Sequence, residues 1–198
     1  MKETGIIMSG DHPRKILDGI KTMTRRTYGL EKVNDNPSNW FPGVLRLDGR
    51  WSFLSKDQQT ELVIKCPYGG IGDLLWVRET WKPSETIFFK GNGKPALVYY
   101  KADGEAFTGQ RQDFKWKSSM FMPRWASRIT REITGLRAER VQEITWRDCK
   151  REGAVTEKMP FSVFEEPWKD AFERLWDSLN AKRGYGWYFN PWVWPISF

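Results

Sequence analysis

The sequence is short of the side chains that carry most hydrolytic and metal chemistry. Its 198 residues include one histidine, His12, and two cysteines, Cys66 and Cys149. The common zinc sites draw three or four ligands mainly from Cys and His, so this set argues against a metal centre. A Ser-His-Asp triad would have to be built on His12 alone. The cysteines are far apart and in no paired motif, and they read as reduced thiols of a cytoplasmic protein. Long apolar runs are also missing: nothing approaches the roughly 20 residues that span a bilayer. The N-terminal Met1–Gly5 leads only into Ile6-Ile7-Met8, too short for a signal-peptide core. The expectation is a soluble, cytoplasmic chain with no membrane partner, no metal and no cofactor.

Tryptophan and positive charge are abundant. Twelve tryptophans run through the whole chain. Most read as large packing residues, and those beside arginine are candidates to stack on a base. The net charge of +7 is uneven: 14–32 carries +4, 110–151 carries +6, and the remainder is negative. Two basic stretches point to a polyanionic partner, RNA or a nucleotide, with single-stranded DNA as a further candidate. For any single residue a solvated surface charge is the simpler reading.

Along the chain, Thr4–Met8 reads as a strand. Asp11 and Pro13 then start a short helix that Gly19 stops. Lys21–Arg26 reads as extended and 27–43 as a loop. Val44–Leu47, Asp48-Gly49 and Arg50–Phe53 form a β-hairpin pattern. Glu61–Lys65, Asp73–Arg78 and Ala96–Tyr100 read as strands, and Ile129–Val141 as a long strand with a bulge at Gly135. Thr145 and Asp148 cap a short helix ending at Gly153. Phe164, Trp168, Phe172, Leu175, Trp176 and Leu179 recur at helical spacing. Trp192, Trp194, Ile196 and Phe198 alternate in a closing strand, which Pro195 would place at a sheet edge or bulge. Many short strands with few helices predict a mostly β (α+β) fold, a small and partly closed β-barrel with peripheral helices. The chain reads as one domain over 1–198, with an insertion at about 27–60 and a helix-strand C-terminal extension.

Two runs stand out. Gly19-Ile20-Lys21-Thr22-Met23-Thr24-Arg25-Arg26 follows the first helix, and Gly72-Asp73-Leu74-Leu75-Trp76-Val77-Arg78-Glu79 follows a glycine-rich turn. Together they resemble the ASCH family, whose fold is a PUA-like β-barrel. Gly19, Lys21, Thr24 and Arg26 match its G-x-K-x-x-T-x-R run, and Gly72, Asp73 and Glu79 match its G-D strand leading to an acidic residue. Met122–Ile129, Leu175–Asn180 and Asn190–Trp194 look like the phage and prophage members. The resemblance implies a nucleic-acid or nucleotide pocket. In one bacterial branch it implies hydrolysis of the acetyl amide of acetylcytidine by a Lys, a Thr and a Glu, which fall here on Lys21, Thr24 and Glu79. Other members are described as ribonucleases.

Metal-free amide hydrolysis needs a base or nucleophile, a donor for the developing oxyanion and a proton for the leaving amine. A lysine serves as base once burial lowers its pKa. Thr24 would donate to the oxyanion, and Glu79 would hold the lysine or a water and shuttle the proton. Arg25 and Arg26 would grip a phosphate or base edge, and Trp76, Arg124, Trp125 and Arg128 would bind substrate or nucleic acid. Taken singly, Lys21 is a surface lysine, Thr24 a β-former, and Glu79 a salt-bridge partner of Arg78 or Arg26. His12 reads as a helix-start residue that is also a candidate pocket donor. Residues three apart on a regular strand face opposite ways, so Lys21 and Thr24 share a pocket only if the chain turns between them. A non-catalytic reader of RNA or of a modified base, and a ribonuclease, are the competing readings.

Overall fold

The structure, a computed structural model, describes residues 1–41, 43–84, 97–104, 115–154 and 166–198. Its architecture is mixed α+β, with short strands in several sheets and few helices. Strand β1 (Glu3–Ile7) leads to helix α1 (His12–Leu17) and strand β2 (Met23–Arg26). The stretch read as a loop contains a helical turn, α2 (Glu31–Asn34), and a 3₁₀ turn, Pro37–Asn39; Asn34 exchanges two hydrogen bonds with the backbone of Trp192. Strands β3 (Val44–Leu45), β4 (Trp51–Leu54) and β5 (Glu61–Ile64) form an antiparallel meander. Gly49 turns its hairpin at φ +76°, a left-handed conformation that glycine adopts without strain.

Strands β6 (Leu74–Arg78), β7 (Trp81–Pro83) and β8 (Val98–Tyr100) follow. The long strand read over 129–141 is three pieces: β9 (Thr130–Glu132), β10 (Gly135–Leu136) and β11 (Glu139–Arg140). Helices α3 (Trp146–Arg151) and α4 (Glu166–Asn180) precede the last strand, β12 (Trp192–Ser197). Thr145 caps α3 as its sequence suggests, accepting from the Asp148 amide at 3.2 Å. Phe164 lies outside the described residues.

The breaks in the long strand have physical causes. β9 pairs with β6, whereas β10 and β11 pair with β12, so the chain changes sheets at Ile133 and Thr134. There the Ile133 amide donates to Asp73 and the Thr134 amide to Ser197. The second break lies opposite Pro195. The Arg137 amide donates to the Pro195 carbonyl, but proline has no N–H to return. Pro195 is therefore not on an edge. β12 is an inner strand with β2 on one side and β10 and β11 on the other, and the ladder opens where the missing donor points. The chain thereby links the sheet β1-β6-β9 to the sheet in which β12 lies between β2 and the pieces β10 and β11. No closed barrel forms among the described residues.

Both faces of β12 are covered, which explains its complete burial. Trp192, Trp194 and Ile196 pack into the main core with Ile6, Leu75 and Ile129. Trp51 and Phe53 of the meander meet them edge to face at centroid distances of 5.4 to 6.3 Å, the geometry that aromatic quadrupoles favour. Val193 faces the other way, onto Phe172, Trp176 and Trp187 under α3 and α4. Segment 27–60 thus supplies part of the main core. Among the described residues, no helix is long and apolar enough to cross a membrane.

Candidate functional site

A cavity of about 230 Å³ lies between β2, the end of α3 and α4, lined by Lys21, Thr24, Glu152, His12, Tyr68 and Phe172 among others. Local geometry settles how Lys21 and Thr24 come to share it. The chain is not yet a strand at Lys21. After α1, Gly19 adopts φ +72° and the amides of Ile20 and Lys21 both donate to the Lys15 carbonyl at 2.9 Å. This turn wraps the helix end, and β2 begins only at Met23. The alternation that would separate the two side chains therefore does not apply.

Lys21 is no surface lysine: it is 1 % exposed. Its Nζ donates to Glu152 Oε2 at 2.7 Å and to the Glu152 carbonyl at 2.8 Å. The C-terminal end of α3 docks here because its last carbonyls meet cations. Lys15 Nζ reaches the Gly153 carbonyl at 2.9 Å, and the Thr22 amide reaches that of Arg151 at 2.8 Å. Gly153 sits at φ +70°, and a Cβ there would come within 3.1 Å of the Lys15 side chain. Burial pushes Lys21 below its ordinary 10.5, while the Glu152 carboxylate pulls the other way. Thr24 is a buried residue on the same cavity, and its hydroxyl has no hydrogen-bond partner among the described residues. Cys66 and Cys149 are buried thiols pushed up to about 11 and about 12, too weakly acidic to act as thiolates.

Glu152 is held from behind. Arg25 donates to Glu152, Glu139 and Asp148 at 3.2, 2.7 and 2.8 Å, and its side chain is fully buried. Arg137 adds bonds to Glu139 and Asp148. Arg25 therefore has no donors to spare for a phosphate; it anchors the carboxylate that faces Lys21. Arg26 lines the cavity and donates to the Ile7 carbonyl at 2.7 Å.

The remaining residues expected at a site gather elsewhere. Glu79 is buried, but Arg128 grips it in a two-pronged pair at 3.0 and 3.1 Å, and Glu79 does not line the cavity. Burial raises the Glu79 pKa and Arg128 opposes the rise. Arg128 also binds Asp103 at 2.7 Å and stacks on Tyr100 with its Cζ 3.9 Å from the ring centre. Trp76 lies against Gly5, where a Cβ would be 2.7 Å from the indole, and is flanked by Arg78 and Arg124. Arg124 pairs with Glu3, and Trp125 meets Trp81 edge to face. None of Trp76, Arg124, Trp125 and Arg128 lines the cavity. Arg124, Arg128 and Arg137 of the basic stretch 110–151 are thus matched by carboxylates. Glu152 was missed by sequence reasoning. Its place at the end of a capped helix is legible, but nothing in the chain links it to a residue 131 positions earlier.

His12 lines the cavity at the start of α1. Burial first, and the Lys21 charge second, lower its pKa from 6.5 to about 4. Between those values the unfolded chain binds a proton that the folded chain refuses, so stability falls as pH drops. Urea unfolding should show a loss of about 3 kcal/mol from this residue between pH 7 and pH 4. His12→Asn should flatten that part of the profile; an unchanged profile would show that His12 is not buried neutral.

No known protein family matches the chain, and neither the curated proteins nor the solved structures contain a match.

Proposed function

We propose that the chain is an ASCH-type protein with a PUA-like, partly open barrel, and that its cavity hydrolyses the acyl amide of an N-acylated cytosine nucleoside or nucleotide without a metal. The observation that carries this reading is that a buried lysine, held by Glu152, and a buried threonine line the same small cavity. Burial favours the neutral amine, the form that accepts a proton. In this reading Lys21 takes a proton from water as the water attacks the acyl carbon. The resulting ammonium is steadied by Glu152, and the Thr24 hydroxyl donates to the oxyanion. Collapse breaks the amide C–N bond, and the Lys21 ammonium returns its proton to the exocyclic amine, so the acid and the deacylated cytosine nucleoside or nucleotide leave. Aromatic rings at the cavity, Tyr28, Tyr68 and Trp176 among them, offer faces for the base.

The test is release of acetate from acetylcytidine, followed by chromatography. Turnover is expected; binding without release would make the cavity a modified-base reader and overturn the enzyme reading. The carboxylate role is separable. Glu152→Gln should lower kcat by roughly 10²-fold, because the ammonium that forms on Lys21 loses its counter-charge. Glu79→Gln should keep most of the turnover and lose stability instead, because its partner Arg128 is left with half its ion pair. The opposite pattern would return the role to Glu79.

A further inference from the structure

The cavity carries more positive charge than its own carboxylate can match. Among the described residues Glu152 is the one acidic side chain on its wall, and it is already held by Lys21 and Arg25. Two further arginines line the same space: Arg26 from β2, and Arg183 from the 3₁₀ turn Ala181–Arg183 that follows α4. Neither has a carboxylate partner among the described residues. Arg26 Nε is buried with no hydrogen-bond partner among the described residues, although an unsatisfied buried donor of this kind is rare in folded proteins. Arg183 is exposed, its guanidinium resting 5.9 Å from the Tyr185 ring. The two cations lie near enough to repel each other, and both act on Tyr68. Like charges gathered at a cavity without a counter-ion are unfavourable unless an anion completes them.

We propose that Arg26 and Arg183 form an anion subsite that takes the phosphate of a cytosine mononucleotide, so that the cavity prefers phosphorylated nucleosides to free ones. This rests on the cavity being a cytosine-nucleoside pocket, as argued above. The chemistry suits the residues. Guanidinium donors match phosphate oxygens in pairs, and Tyr68, whose pKa burial raises, keeps its hydroxyl proton as a further donor. Arg183 belongs to the C-terminal extension, so the extension supplies half of the anion subsite, while the turn before β2 supplies Lys21 and β2 supplies Thr24 and Arg26.

Titration calorimetry with cytidine, CMP and inorganic phosphate tests the subsite without any turnover. CMP should bind at least 10-fold tighter than cytidine, inorganic phosphate should compete with CMP, and rising salt should weaken CMP more than cytidine. Arg183→Gln, at an exposed turn that leaves the core untouched, should bring CMP down to the cytidine affinity, a loss of roughly 10- to 100-fold for a charged hydrogen-bonded pair. Arg26→Lys, which keeps the charge but loses the fork, should give a smaller loss. The proposal fails if CMP gains nothing over cytidine, if neither binds, or if Arg183→Gln leaves the difference intact. A cytidine-containing trinucleotide that binds tighter than CMP would put the phosphate on an RNA strand and overturn the mononucleotide assignment. Failure of the hydrolase reading shows separately, as absence of acetate release while the CMP preference persists. Failure of the subsite alone leaves wild-type acetate release in place with no CMP preference.

Discussion

Lys21→Arg should abolish acetate release from acetylcytidine, by about 10²- to 10⁴-fold, the range that a positioned general base supplies. Arginine keeps the positive charge and can still reach an acceptor such as Glu152, but it has no accessible neutral form. It therefore keeps the charge of the ion pair and removes only the proton acceptor. The wild-type rate should rise with pH along a limb whose midpoint lies below the ordinary lysine value of 10.5, since burial disfavours the ammonium. Because Lys21 is 1 % exposed, the larger guanidinium can strain the cavity. Lys21→Met, close in length and uncharged, is the second arm, with Glu152 still held by Arg25. Both variants should be inactive, with unfolding curves that show a folded chain. Full activity in either one overturns Lys21 as the base.

Arg25→Met should be the most destabilising polar substitution in the protein. It strips one cation from Glu139, Asp148 and Glu152, all on buried or nearly buried side chains. Breaking a buried ion pair from one side leaves uncompensated charge and costs about 3–5 kcal/mol. For a chain of this size that corresponds to a Tm lower by roughly 2–4 °C per kcal/mol. Arg46→Met provides the contrast. Arg46 pairs with Glu61 at 3.2 Å with both side chains nearly half exposed, and such pairs contribute at most about 1 kcal/mol. Urea unfolding of the two variants side by side checks the difference. Equal losses would mean that the Arg25 cluster is solvated after all.

Local elements were legible where local chemistry decides them. Thr145 and Asp148 mark the start of α3, Gly19 marks the end of α1, and Asp48-Gly49 marks a hairpin, although its loop takes in Leu47 as well, so that Leu45 pairs with Trp51 and Val44 with Ser52. The alternating Trp192, Trp194 and Ile196 correctly indicated a buried strand face. Pro195 was misleading, because the rule that keeps proline at edges concerns one missing donor, and here the neighbouring strand breaks where that donor would bond. The long strand over 129–141 looked continuous because alternation continues through a change of sheet. Charge in the sequence does not show its pairing: within 110–151, Arg124, Arg128 and Arg137 end on Glu3, Glu79, Asp103, Glu139 and Asp148.

By itself the sequence determined the strand-rich α+β character and the short helix before Lys21. Each follows from spacing within a few residues, where periodicity, caps and glycine act. Lys21 and Thr24 were grouped by the family resemblance alone, against the strand alternation, and it took the turn at Gly19 to bring them to one cavity. Only the tertiary structure decided which carboxylate meets Lys21, that Arg25 anchors that carboxylate, and that Arg26 and Arg183 face one cavity. Those pairings join residues more than a hundred positions apart. They depend on where α3 and α4 come to rest on β2 and β12, and burial then sets the charge of each group.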